Sequence, residues 1–161
     1  MLDVISKFLE QYNLPWLLLA VISWVILYFS CSWRTFLHLL PVGIWTMVMG
    51  SILEHFFISH KFWIERFILL KLGELDLFVS IGPFFSLGVL LIRFLPQGKW
   101  RKLLAVLFWS AFSTLMEIMA ILLRFLAYHG EKWGIFHSFI IYFFSLMSTL
   151  GFYYTFYTKT K

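Results

Sequence analysis

Five long apolar runs constrain the fold of this chain more than any other feature of its sequence. They cover residues 14–30, 36–57, 77–95, 103–128 and 135–157. A helix needs about 20 apolar residues to cross the hydrocarbon core of a bilayer, because each residue adds about 1.5 Å of length. The runs therefore predict an all-α, polytopic transmembrane helix bundle of about five spans, folded as one domain over residues 1–161.

The composition points to lipid as the main partner. Of 161 residues, 61% are hydrophobic and 13% are charged, whereas a soluble domain is about half apolar and a quarter charged. A soluble chain of this length needs more polar residues to cover its surface. The net charge of +5 is spread thinly and forms no dense basic face. We therefore expect a bilayer partner and no nucleic acid partner.

The segment from Lys61 to Gly73 joins the second and third runs and is too short and too charged to span. Three of its charged residues, Lys61, Glu65 and Arg66, alternate with aromatic and aliphatic residues. This pattern predicts an amphipathic helix lying at the membrane interface. A short solvated loop is the alternative.

The charged residues near the spans predict an orientation. Lys99, Arg101 and Lys102 form a tight basic cluster without acids, which is typical of a cytoplasmic loop in contact with anionic lipid headgroups. The acidic residues outside the spans all belong to the opposite side. We expect a cell-membrane protein with its amino terminus outside and its carboxyl terminus in the cytoplasm.

Glu117 lies near the middle of the fourth run, and a charge at that depth costs at least a few kcal/mol. At 100° per residue, Ser110, Ser113 and Arg124 share its helix face. Tyr142 lies on a polar face of the fifth predicted helix, and this face could pack against the face that carries Glu117. One interpretation is a proton or cation site inside the bundle. The other is a carboxyl group hydrogen-bonded to a neighbouring helix, because membrane bundles use polar side chains for packing.

A second group of ionisable residues falls on the predicted outer face, and it comprises Glu54, His55, His129 and His137. Imidazole and carboxylate groups bind several divalent metals, and two histidines are able to bracket a haem. No pair of histidines is spaced four residues apart on one helix, so the sequence supports neither site. The alternative is that these side chains have no binding role and contact water and lipid headgroups. We therefore predict no metal and no cofactor.

From about residue 74 onward, the chain resembles a family of small, functionally uncharacterised multi-pass membrane proteins of endospore-forming bacteria. The likeness covers a little over half of the chain. The family usually has a tyrosine before its second proline, where this chain has Leu95. The resemblance implies a helical membrane protein of a spore-former with no defined activity. The matching features are Glu74 to Phe78, Pro83, Phe94-Leu95-Pro96, Lys99 to Lys102, Glu117, Tyr128 to Trp133 and Tyr142 to Tyr157.

The sequence contains no G-x-S-x-G motif, no H-E-x-x-H motif and no GxxxxGK phosphate-binding loop. We therefore expect a non-enzymatic structural or interaction role in the bacterial cell envelope. One alternative is a small transporter or channel subunit that uses Glu117 within the bundle, and a weaker one is a membrane enzyme that uses the outer-face group. The partner, whether a second copy of the chain or another membrane protein, stays open.

Overall fold

The computed structural model describes residues 12–73, 75–128 and 133–157, and five helices form most of this part of the chain. Three of them are long and apolar enough to cross a membrane, while α1 and α3 are shorter apolar helices. The predicted all-α class is confirmed. The helices are α1 (Pro15–Ser30), α2 (Trp33–Ser59), α3 (Leu77–Arg93), α4 (Lys99–Leu122) and α5 (Ile135–Tyr157).

Consecutive helices run in opposite directions, so the connections alternate between two ends of the bundle. At one end, the indole Nε1 of Trp16 donates to the backbone oxygen of Arg66 at 2.9 Å. At the other end, Nε of Arg93 donates to the backbone oxygen of Ser30 at 3.2 Å. We call the first the cap end and the second, which also carries Lys99, the basic end.

Two short antiparallel strand pairs lie at the cap end. Strand β1 (Trp63–Glu65) pairs with β4 (Leu126–Tyr128), and β2 (Lys71–Leu72) pairs with β3 (Leu75–Asp76). In the first pair, Trp63 lies opposite Tyr128 and Glu65 lies opposite Leu126. Trp63 and Glu65 are buried while Ile64 is exposed, as expected when alternate side chains point to opposite faces of a strand.

The predicted interfacial helix over residues 61–73 is therefore wrong. The backbone groups of β1 find their hydrogen-bond partners in β4, about 60 residues further along the chain, instead of four residues away in a helix. The same pairing shortens the fourth helix, which ends at Leu122 instead of residue 128. Arg124 then adopts a positive φ of 63°, which a helix does not allow.

Helix α3 lies at the centre of the bundle and is almost completely buried between Phe85 and Ile92. It begins with a π-helical turn over residues 80–84 that contains Pro83, where the missing N–H of proline loosens the helix. Gly82 and Gly88 let neighbouring helices approach closely. A Cβ at Gly82 would lie 2.5 Å from the Cα of Ala20 on α1, and one at Gly88 would overlap Thr46 on α2.

One apolar core joins all five helices. Each helix contributes at least one side chain that is almost fully buried in it. In a helix bundle that lies in lipid, such side chains stabilise the fold by close van der Waals packing, since the hydrocarbon that they would otherwise contact is equally apolar. These residues are Leu27, Val42, Val89, Val106 and Leu146.

Candidate site: a buried carboxyl cluster

Three glutamates from three different elements are buried near the cap end. Glu54 is on α2, Glu65 is on β1 and Glu117 is on α4, and they are 7%, 6% and 8% exposed. Glu54 and Glu117 each precede the end of their helix by five residues, and β1 carries Glu65 inward from the cap. Buried carboxyl groups are costly unless they are paired or hydrogen-bonded, so the partners of each one decide what the cluster does.

Glu117 is held by a network of hydroxyl groups. Its Oε1 accepts a short hydrogen bond from the hydroxyl of Tyr128 and one of 2.7 Å from Oγ of Ser138. The indole of Trp133 in turn donates to Ser138 at 2.9 Å. These bonds tie β4 and α5 to α4. Burial, together with the bond to Glu117, raises the pKa of the Tyr128 phenol, so it stays a hydrogen-bond donor.

Glu54 and Glu65 form a pair of a different kind. Their carboxyl groups face each other closely enough to share a hydrogen bond if one of them carries a proton. Among the described residues, no donor reaches Oε2 of Glu54 or Oε1 of Glu65. Two carboxylates offer only acceptors, so this pair needs a proton or another cation between its members.

The surroundings of Glu65 hold it in this position. Its Oε2 accepts from the backbone N–H of Asp76 at 3.1 Å. Burial nevertheless raises the pKa of the Glu65 carboxyl above its ordinary value, while the bonds to Glu54 and to the Asp76 backbone act in the opposite direction. Desolvation is the largest of these effects, since a charged carboxylate loses water contacts that two hydrogen bonds do not replace.

Asp76 is fully buried but is satisfied by backbone donors. Its Oδ2 accepts from the N–H of Leu69 at 2.6 Å and its Oδ1 from the N–H of Phe78 at 2.9 Å. It therefore caps the amino end of α3 and fixes the loop that follows β1. Its role is structural, and it supports the position of Glu65.

Two cavities adjoin the cluster, and Glu54, Glu117 and Tyr142 line both of them. The smaller cavity, of about 40 Å³, is also lined by Trp63, whose indole N–H has no hydrogen-bond partner among the described residues. It is large enough for an ordered water molecule. The larger cavity has a volume of about 160 Å³. No Lys, Arg or His side chain of the described chain lines either cavity.

The structure places only some of the residues that were predicted to accompany Glu117 close to it. Tyr142 lies within hydrogen-bonding reach of Glu117, and Ser113 lines the larger cavity together with Glu117. Ser110 is buried but donates to the backbone of its own helix at Val106. Arg124 is exposed and lies beyond the end of α4, so it does not share a helix face with Glu117.

The predicted outer-face group is not brought together. Glu54 is buried, whereas His55 and His137 are exposed on other faces of their helices. His129 lies outside the described residues. Within those residues, no three His, Cys, Asp or Glu side chains are placed to hold one metal ion. Neighbouring positions on a helix point about 100° apart, which separates Glu54 from His55.

The residues that were predicted to contact lipid headgroups lie at the basic end. Lys99 and Arg101 are exposed, and the Nζ of Lys102 lies 4.7 Å from the centre of the Tyr154 ring. Such a cation–π contact holds the lysine at the level of the aromatic rings. The basic end and the carboxyl cluster thus lie toward opposite ends of the bundle.

Glu65 is the site residue that sequence reasoning missed. The only local signal was the alternation Trp63-Ile64-Glu65, which has the two-residue period of a strand. Three residues are too few to distinguish that period from a helical one. No family model, curated protein or solved structure matches this chain, so its function has to be argued from its own residues.

Proposed function

We propose that the chain is a multi-pass protein of the bacterial cell membrane that acts as a small proton-coupled transporter, in which Glu54 and Glu65 share the coupling proton. All five helices cross the bilayer, with the amino terminus outside and the carboxyl terminus in the cytoplasm. The alternating helix directions and the basic cluster at Lys99 support this topology. The resemblance to membrane proteins of spore-formers supports the bacterial setting.

The Glu54–Glu65 pair carries the transport proposal. Two buried carboxyl groups that face each other cannot both hold a full negative charge at low cost, so the pair retains one proton. The two groups come from a helix and a strand, and Glu54 lines both cavities. A cation that enters and pairs with Glu54 replaces this proton, which is the exchange that a proton-coupled carrier requires.

Infrared difference spectroscopy on the protein in lipid nanodiscs tests for this proton. The expected result is a protonated carboxyl band in the wild type at neutral pH that is weaker in Glu54→Gln and in Glu65→Gln. His55→Gln changes an exposed neighbour of Glu54 and serves as the matched control, with an unchanged band. Spectra of both glutamate variants identical to that of the wild type would contradict the shared proton.

A flux measurement then tests for coupling. Vesicles that contain the protein and an internal pH dye are given pulses of Na⁺, K⁺ or an alkylammonium ion. At least one of these ions should drive proton movement in the wild type, and Glu54→Gln should abolish it. Proton movement equal to that of empty vesicles for every ion would remove the transport proposal.

The second candidate is a non-enzymatic structural or interaction role in the cell envelope. The observation that favours it is the network around Glu117, where hydroxyl groups from two other elements satisfy the carboxyl group as packing contacts. In this case the double variant Glu54→Gln/Glu65→Gln would fold and assemble like the wild type and would keep any cellular phenotype. Copurification from native membranes, with a second tagged copy or with other membrane proteins, tests the interaction itself.

A further inference from the structure

The larger cavity opens to the surface of the bundle between α1 and α4. Ile22 and Ile26 of α1, together with Phe112 and Met116 of α4, line it and are each more than a third exposed. In the proposed five-span arrangement, these side chains face the hydrocarbon of the bilayer. A molecule dissolved in the membrane therefore reaches the cavity from the side of the bundle, directly from the hydrocarbon of the bilayer.

The inside of this cavity has an apolar wall and a polar end. Trp16, Phe84 and Trp109 supply aromatic surface. The polar end carries Glu54, and Ser86 also faces the cavity with a hydroxyl group that is 2% exposed and has no partner among the described residues. Both side chains are more than nine-tenths buried. The partner of Glu54 is the carboxyl group of Glu65, whereas Ser86 needs a hydrogen-bond partner that the described chain does not supply.

We propose that this cavity binds an amphipathic organic cation of the alkylammonium type, with its charged head at Glu54 and its apolar body against the aromatic wall. This substrate class rests on the proposed transport function. A carboxyl group without a basic neighbour attracts a cation and repels an anionic amphiphile. The faces of tryptophan and phenylalanine also attract ammonium groups, and the Ser86 oxygen is available as an acceptor.

The size and shape of the cavity set what it can enclose. A cavity of about 150 Å³ holds a molecule of the size of benzene, and this one measures about 160 Å³. The head and the first carbons of an alkyl chain therefore fit inside, while the rest of the chain extends between Ile26 and Phe112 into the lipid. Binding at Glu54 releases the proton shared with Glu65 to the solvent, so one positive charge replaces another.

Equilibrium binding of radiolabelled dodecylammonium to the protein in nanodiscs tests the proposal, with empty nanodiscs measuring partition into lipid. Binding should saturate and should weaken as the pH is lowered, because protons compete for the pair. Unlabelled dodecylammonium should displace the probe. Dodecanol and dodecyl sulfate, which carry the same chain on a neutral and an anionic head, should not.

Three variants locate the binding site. Glu54→Gln should weaken binding about tenfold or more, as expected for the loss of one charged partner. Ser113→Phe places a ring in the larger cavity and should also weaken binding without altering the carboxyl pair. Leu104→Phe adds the same ring at an exposed position of α4 outside the cavity and should bind as the wild type does.

Equal displacement by dodecanol, or wild-type affinity in Ser113→Phe, would overturn the proposal. Ser113→Phe keeps the test decisive even if Glu54→Gln fails to fold. A protonated carboxyl band without probe binding would contradict the proposed substrate class but would be consistent with the shared proton. Specific probe binding without that band would instead remove the proton-coupled mechanism.

Discussion

The carboxyl groups of Glu54 and Glu65 face each other inside the bundle, although one lies on a helix and the other on a strand. Each has a buried oxygen that no donor of the described chain reaches. Glu117, in contrast, is satisfied by Tyr128 and Ser138. Within one cluster, the structure thus separates a carboxyl group that holds the fold together from a pair that requires a cation.

The first prediction concerns the dependence of stability on pH. The unfolded chain titrates Glu65 near its ordinary value of 4.5, while burial raises its pKa in the folded protein. Between these two values the folded state holds more protons, so raising the pH lowers the free energy of unfolding, by up to about 1.4 kcal/mol per pH unit for one proton. Glu65→Gln should flatten this slope in unfolding curves measured by circular dichroism.

The control for this measurement is Lys61→Gln, which removes an exposed charge just before β1 and should leave the slope unchanged. The other acidic groups that face Glu65 are Glu54 and Asp76. A slope in Glu65→Gln equal to that of the wild type would mean that these neighbours, and not Glu65, bind the proton.

The second prediction separates hydrogen bonding from charge at Glu117. Glu117→Leu leaves the hydroxyl groups of Tyr128 and Ser138 without their acceptor and should lower the free energy of unfolding by about 1–3 kcal/mol. Glu117→Gln keeps an acceptor oxygen and should cost less. Thermal unfolding in a mild detergent measures both. If Glu117→Gln folds normally but abolishes proton-coupled flux, Glu117 itself belongs to the proton pathway.

The third prediction tests the contact between α1 and α3. Gly82→Ala places a Cβ 2.5 Å from the backbone of Ala20, so the helices must separate, at a cost of about 1–3 kcal/mol. Gly151→Ala is the matched control on α5, because a Cβ there meets nothing within 4 Å. It should stabilise the protein by up to about 1 kcal/mol, as alanine does in a helix. Equal effects would show that the close packing at Gly82 is absent.

The fourth prediction tests the proposed topology by labelling cysteines in intact cells, in a Cys31→Ser background. Lys61→Cys at the cap end should react with a membrane-impermeant thiol reagent. Lys99→Cys at the basic end should react only after permeabilisation. The reverse pattern would invert the orientation, and labelling of both positions in intact cells would contradict the placement of the two ends on opposite sides.

The sequence by itself determined the five helices and the inward position of Glu117. Runs of apolar residues predict all five helices, because hydrophobic length and helical hydrogen bonding act within one segment. The same local reasoning predicted that Glu117 faces the bundle, where Ser138 of α5 is its partner.

Only the tertiary structure decided what happens at the cap end. Residues 63–65 form a strand because residues 126–128 supply their backbone partners, and no window along the sequence contains both segments. That pairing ends α4 before Arg124 and turns Glu65 inward to meet Glu54. The carboxyl pair is thus a product of contacts between distant segments, whereas the helices that surround it are set by their own residues.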